Sequence, residues 1–338
     1  MIIVNKSLIY VYFFCLLFIV SCNYGNPRNF DTPTQGTEKI GIDENYFLIF
    51  ESQIYTFMAQ YQDAVLYPSY QTENDLFKNL LDDSCDLIVA SRDLSAEEKH
   101  FFSLQNRFPK TVQIGEEAIA LVVNRQNADS VFTMSELEQI FSGRISNWKS
   151  IKPQSNLNSL ALVIDNKDGS NARFLRDNYI KSANFPNTIT SATSNTEVID
   201  YVEKNSGAIG IMSGTWFADE QDSVCQNYLS RVQLVAIKKD ESSEAYRPYQ
   251  GYIFPHPTVQ VIKSENFLLS HYPGVGATHE YPLTRKIYMI NAEGSNGLVT
   301  GFVAFVSGEK GQLIILKSGI VPAIVPTRSV KIESENKL

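Results

Sequence analysis

Two uninterrupted apolar runs, Ala118 to Asn124 and Ile287 to Ile290, stand far apart in this chain and constrain its fold more than any other feature. Runs without alternation are the mark of strands buried on both faces. Two such strands bracketing a long middle block suit a chain that leaves one lobe, builds a second and returns. Between and around them, short apolar runs alternate with helical patterns, as in an α/β fold.

The pattern predicts a strand at Tyr46 to Phe50 leading into a helix with Ile54, Phe57, Met58 and Tyr61 on one face, at the i, i+3, i+4, i+7 spacing. A strand over Ala64 to Tyr67, a helix over Leu76 to Leu81 and a strand over Asp86 to Ala90 follow. Three capping boxes, Ser95 to Glu98, Thr133 to Glu136 and Ser194 to Glu197, open helices; in each, hydroxyl and carboxylate satisfy free backbone donors. Leu298 to Leu316 holds two helical patterns, ended by Gly319 as a left-handed cap before Val321-Pro322. Residues 240–280 carry Pro248, Pro255, Pro257 and Pro273 and read as an irregular insertion.

The first 22 residues read as an export signal, with Lys6, an apolar core from Leu8 to Val20, and Ile19-Val20-Ser21-Cys22 resembling a lipobox. The apolar stretch is shorter than the roughly 20 residues a bilayer span requires. Cys22 is therefore expected to carry lipid, anchoring the protein in the cell envelope on the periplasmic or outer face. Residues 23–37, with Gly25, Pro27, Pro33 and Gly36, suit a flexible tether. The net charge of −8 becomes −9 once Lys6 leaves with the signal. An acidic chain without a basic stripe excludes nucleic acid as the expected partner. Cys85 and Cys225 are read as separate thiols. No two of the four histidines lie at metal-ligand spacing, so neither a metal nor a cofactor is expected.

Residues 162–180 concentrate candidate chemistry: an apolar run stops at Asp165, a small polar cluster follows, and an amphipathic pattern starts at Phe174. A helix start leaves about four amides without partners and carries roughly half a positive charge. Asp168, Gly169, Ser170 and Asn171 would face an oxyanion there, with Arg173 adding a guanidinium. The alternative is a plain N-cap at Ser170, with Arg173 paired to Asp177 at i, i+4.

Several segments together resemble the PstS-like phosphate-binding proteins of ABC transporters. Asp86-Leu-Ile-Val-Ala-Ser-Arg-Asp-Leu94 is similar to a strand ending in a ligand-facing Ser-Arg, and Ile140-Phe-Ser-Gly-Arg-Ile-Ser-Asn-Trp148 to the family's Ile-Phe-x-Gly-x-Ile-x-x-Trp. Asp168-Gly-Ser-Asn-Ala-Arg173 corresponds to its Ser-Gly-Thr-Arg loop. Gly207-Ala-Ile-Gly210, Tyr281-Pro-Leu-Thr-Arg285, and Glu309-Lys-Gly-Gln312 with Gly319-Ile-Val-Pro322 match further landmarks in order. The resemblance implies a two-lobed type II periplasmic-binding-protein fold, each lobe a mixed sheet flanked by helices, joined by two hinge crossovers. Lobe 1 is expected at 38–121 and 286–326, lobe 2 at 122–285, and a tail at 327–338. It further implies a monomer that captures a small anion, phosphate above all, and hands it to ABC permease subunits. The family's loops map to Glu51-Ser52, Thr72-Glu73, Ser91-Arg92 and Ser170 to Arg173.

Those loops also depart from the pattern. Phe50-Glu51-Ser52-Gln53 replaces a Gly-Ser/Thr-rich turn, Glu73 stands beside Thr72, and Asn171 and Ala172 replace a glycine and a hydroxyl. Glu51 and Glu73 are candidate cleft carboxylates, and two charges about 4 Å apart repel by about 4 kcal/mol at an effective dielectric of 20. The alternative expectation is an envelope lipoprotein that keeps the fold as a sensor or interaction module. Catalysis is not expected, because His100, His256, His271 and His279 sit in no motif that sets a base beside Ser170, Ser91 or Cys85.

Overall fold

The computed structural model describes residues 31–180, 184–219, 221–248 and 281–324. The expected signal, Cys22 and most of the tether, most of the 240–280 insertion, and the tail lie outside the described residues. One curled mixed sheet runs through the molecule with helices on both faces. Its first part joins β1 (Gly36–Asp43), β2 (Ala64–Gln71) and β3 (Leu87–Ala90). The long β4 (Lys110–Asn124) carries the sheet onward. Short β5 (Val131–Thr133) precedes β6 (Ala161–Ile164), β7 (Ile189–Ser191) and β8 (Ala208–Ser213). After β9 (Val232–Leu234) and β10 (Ala236–Lys238), the chain returns as β11 (Thr284–Asn291) and ends in β12 (Val321–Pro322). The strand order is β2-β1-β3-β11-β4-β8-β6-β7, with β9 and β12 on β4 and a separate β5–β10 pair.

Strand β4 makes this a two-lobed fold. Its first half pairs antiparallel with β11 down to Ala118, opposite Thr284, and its second half pairs with β8 from Ile119, opposite Ser213. The chain therefore changes lobes near Ala118 and again near Thr284. Every residue from Ala118 to Val123 is at most 1% exposed, which is why the sequence there shows no alternation.

Helices cover both faces of each half. In lobe 1 these are α1 (Phe47–Gln60), α2 (Glu73–Leu81) and α3 (Ala96–Leu104). Lobe 2 carries α4 (Met134–Phe141), α5 (Ser170–Leu175), α6 (Asn195–Lys204), α7 (Thr215–Ala218) and α8 (Ser223–Arg231). After β11, α9 (Leu298–Ser307) and α10 (Glu309–Lys317) return to lobe 1. Ser95–Glu98 and Thr133–Glu136 form reciprocal capping boxes. Ser194 accepts from the Glu197 amide, but the Glu197 carboxylate turns to the Thr193 amide instead. Gly319, at φ +75°, ends α10. Cys85 and Cys225 are separate thiols.

The first strand is displaced from its expected place. Tyr46 to Phe50 forms a 3-10 turn and the start of α1, and Gly36 to Asp43 is the strand. A five-residue apolar run fits a buried strand or a buried helical face equally well. The displacement moves the first loop from Glu51-Ser52 back to Asp43–Tyr46.

Trp148 anchors lobe 2. It is fully buried, its ring lies 5.8 Å from that of Phe132, and its Nε1 donates to the Gly207 carbonyl at 2.9 Å. Gly143 turns the chain toward it at φ +72°, where a Cβ would lie 2.5 Å from Pro186. Trp148→Ala is expected to lower unfolding free energy by about 3–5 kcal/mol in a denaturant titration; a loss under about 1 kcal/mol would contradict this anchoring.

Candidate functional site between the lobes

The polar C-terminal ends of β1, β3 and β6 come together where the two lobes meet. β1 ends in Asp43, and the 3-10 turn beyond it presents Glu44, Asn45 and Tyr46. β6 ends in Asp165, and the loop after it caps α5 at Gly169. Asp43, Asn45, Asp165, Ser170, Asn171 and Asn195 are all at most 5% exposed.

Asn45 sits at the centre of this seam. Its Nδ2 donates to Asp43 Oδ1 at 3.0 Å, Ser170 Oγ at 3.1 Å and Asp165 Oδ2 at 3.2 Å. Its Oδ1 accepts from Asn195 Nδ2 at 3.3 Å and Asn171 Nδ2 at 3.5 Å. Its carbonyl accepts from Thr215 Oγ1 at 2.5 Å. A lobe 1 side chain thus fills a cradle built mainly by lobe 2.

Two ion-paired knots flank the cradle. Glu73, at the start of α2, accepts from the Ser91 amide at 2.9 Å and hydroxyl at 2.7 Å, and it pairs with Arg173 of lobe 2. Arg173 also donates to Ser91 Oγ at 2.7 Å and Asp177 at 3.0 Å. Near the crossover, Glu117 accepts from Tyr46 Oη at 2.6 Å, from Arg285 Nε at 2.7 Å and from Ser213. Arg285 keeps Nη1 and Nη2 free of protein acceptors.

The charges do not balance. Asp43, Glu44, Glu73, Glu117 and Asp165 face two guanidiniums, those of Arg173 and Arg285. Burial, with the Glu73 charge, pushes the Asp43 carboxyl up to about 7 against the partial relief of Arg285. Burial, then Asp165 and Asp43, pushes Glu44 up to about 7. Burial also raises Asp165, although Asn45, Asn171 and Arg285 oppose it. Burial works against Glu73 too, but Arg173 outweighs it and holds that carboxyl below its usual range. Five buried acceptor oxygens, Asp43 Oδ2, Glu44 Oε1, Asp165 Oδ1, Asn171 Oδ1 and Asn195 Oδ1, accept no hydrogen bond from the protein.

Of the residues expected at the site, the structure brings Glu73, Ser91, Ser170, Asn171 and Arg173 together at the seam, with Gly169 buried beneath as the N-cap of α5. Others are corrected. Glu51 and Ser52 lie exposed on α1, because the strand before them is a helix; Glu51 accepts from Tyr70 Oη at 2.6 Å, and Ser52 Oγ reaches the Leu48 carbonyl. Thr72 caps α2 by accepting from the Asp75 amide. Arg92 turns from the cleft to pair with Glu98 at 2.7 Å and lies over Phe77, 3.3 Å from the ring centroid. That ring and bidentate carboxylate outcompete the seam. Asp168 is exposed at the rim, where its carbonyl accepts from the Asn74 amide across the lobes at 3.3 Å.

The residues that sequence reasoning missed are Asp43, Glu44, Asn45, Tyr46, Glu117, Asn195, Ser213, Thr215 and Arg285. Asp43-Glu44-Asn45 was legible as a polar triplet after the apolar Ile40-Gly-Ile42. Arg285 closes a motif that was noticed, without any sign that it would be buried.

A model of the PBP superfamily domain matches residues 30–310. The chain belongs to that superfamily. Solved structures share its fold. A putative phosphate ABC transporter substrate-binding protein from Clostridium perfringens, with phosphate bound, is 20% identical; the alignment covers 85% of this chain and 99% of that one with a TM-score of 0.62. An ABC-type phosphate transport receptor from Vibrio cholerae is 17% identical, with 85% and 100% covered and a TM-score of 0.57. A phosphate binding protein from Stenotrophomonas maltophilia is 11% identical, with 86% and 91% covered and a TM-score of 0.58. These likenesses show the fold that this chain shares with them.

Two outcomes follow from the buried charges. Free carboxyls titrate near about 4, so between about pH 4 and 7 the folded protein holds protons on Asp43 and Glu44 that the unfolded chain has released. Stability must then fall as pH rises through that window. Thermal melts should show a midpoint several degrees higher at pH 5.5 than at pH 8, and Asp43→Asn should flatten the difference; a midpoint rising toward pH 8 would contradict it. Arg173→Met strands Glu73 and should cost about 3–5 kcal/mol, whereas the double change with Glu73→Gln should recover much of it.

Proposed function

We propose that this chain is a solute-binding receptor of the cell envelope, anchored through Cys22, which takes a small polar solute between its lobes and presents it to membrane transport machinery. The observation that carries this reading is the seam itself. Buried polar side chains from both lobes converge on one point and leave acceptors unused there, which packing alone does not require. Superfamily membership and the fold shared with phosphate receptors support solute capture as the role. They leave this chain's solute to be argued from its own residues.

Phosphate, the solute first expected, meets a hostile site. Monohydrogen phosphate brings about two negative charges to a seam where carboxylates outnumber guanidiniums, and where Glu73 neutralises Arg173 and Glu117 engages Arg285. Each unpaired like charge about 4 Å away costs about 4 kcal/mol at an effective dielectric of 20. The family's small donor loop is replaced by Asp43-Glu44-Asn45, so the inherited specificity is not supported.

A second reading, an envelope sensor or interaction module, is favoured by one observation. Protein groups already bridge the lobes, from Asn45 to Ser170, Thr215 to Asn45 and Arg173 to Glu73. A thermal-shift screen of small solutes, phosphate included, on the purified protein separates the two. Receptor function predicts at least one solute that raises the melting midpoint by several degrees and loses that effect in Asn171→Ala/Asn195→Ala, whose folding is checked by circular dichroism. Absence of any stabilising solute would favour the module.

A further inference from the structure

We infer that the interlobe site recognises a small solute through a positively charged nitrogen, an ammonium or guanidinium group, rather than through an oxyanion. The inference rests on the receptor reading and names the class of its guest. The seam shows its preference in the group it already holds: the Asn45 amide nitrogen sits among Asp43 Oδ1, Asp165 Oδ2 and Ser170 Oγ. That arrangement is a cradle of acceptors around an N–H donor.

Capacity for more donors is left over. Asp43, Asp165, Asn171 and Asn195 are each more than nine-tenths buried, and each keeps one oxygen that accepts nothing from the protein; Glu44 Oε1 does the same. An acceptor buried without a donor keeps its full desolvation cost. A nitrogen with two or three N–H groups satisfies several at once, and its charge answers the excess of carboxylates. An oxyanion brings no hydrogens for the Asp165, Asn171 and Asn195 oxygens and adds to the negative charge, and only the protonated forms of Asp43 and Glu44 could donate to it. Among the described residues no three acidic, histidine or cysteine side chains assemble as a metal site, whereas a nitrogen cation carries its own N–H donors to lone oxygens. Among the described side chains at the seam, Arg285 keeps Nη1 and Nη2 without a protein acceptor, and they suit an acceptor elsewhere on the same guest.

Protonation gives an independent signature. Asp43 faces Glu73 and Arg285, and Glu44 faces Asp165 and Asp43. A cation entering this field expels the protons those carboxyls hold near neutrality, so its affinity rises from pH 6 to pH 8. A phosphate would bind less well over the same interval.

Isothermal calorimetry tests the inference with ethanolamine, putrescine, agmatine and lysine against phosphate and sulfate. At least one amine should bind, more tightly at pH 8 than at pH 6. Asp165→Asn, which keeps shape but removes charge, should weaken that binding at least tenfold, while Glu51→Gln on the outer face of α1 should leave it unchanged. Circular dichroism of both variants separates loss of binding from loss of fold. Phosphate binding without amine binding overturns the inference while leaving solute capture standing. Amine binding indifferent to Asp165→Asn overturns it too, as does silence from every amine when another solute stabilises the protein. Silence from every solute in both experiments removes the receptor reading itself.

Discussion

Five carboxyl groups share the junction of the lobes with two guanidiniums, and the surrounding structure is arranged around that imbalance. Buried charge is tolerated only where it is paired and hydrogen-bonded. Glu117 meets this condition through Tyr46, Arg285 and Ser213, and Glu73 through Ser91 and Arg173. Asp43 and Glu44 meet it by holding protons near neutrality. The seam is therefore poised, with part of its charge neutralised by partners and part by protons that a suitable guest displaces.

The fold delivers this arrangement because β4 belongs to both lobes. Its first half is bonded to β11 and its second to β8, so Glu117 stands one residue before the change of partner. Arg285, opposite it on β11, ties the outgoing crossover to the returning one. Asn45 and Arg173 reach across between the lobes on either side of this pair. Packing and charge thus meet at the same few residues.

Much of the fold was legible in the sequence. Unbroken apolar runs announced β4 and β11, capping boxes fixed the starts of α3 and α4, and Gly319 marked the end of α10. The first strand was misread because Tyr46 to Phe50 is apolar without periodicity, and local pattern carries no record of which face a short run buries. The smaller part of the seam followed from motifs: Glu73, Ser91, Ser170, Asn171 and Arg173 lie there. The larger part was hidden by contacts remote in sequence. Arg92 and Arg173 look alike along the chain, yet Glu98 with the Phe77 ring claims the first, and Glu73 draws the second into the cleft.

Superfamily folds host many guests because the scaffold sets only where a ligand sits; the loops set what it is. Here the corner after β1 carries Asp43-Glu44-Asn45, and buried oxygens without protein partners gather around it. Native mass spectrometry of the protein purified from its own cells tests that claim most directly, by weighing whatever it carries. A bound mass containing a basic nitrogen is expected, released on acidification as the seam carboxyls take up protons. A bound mass equal to phosphate would contradict it.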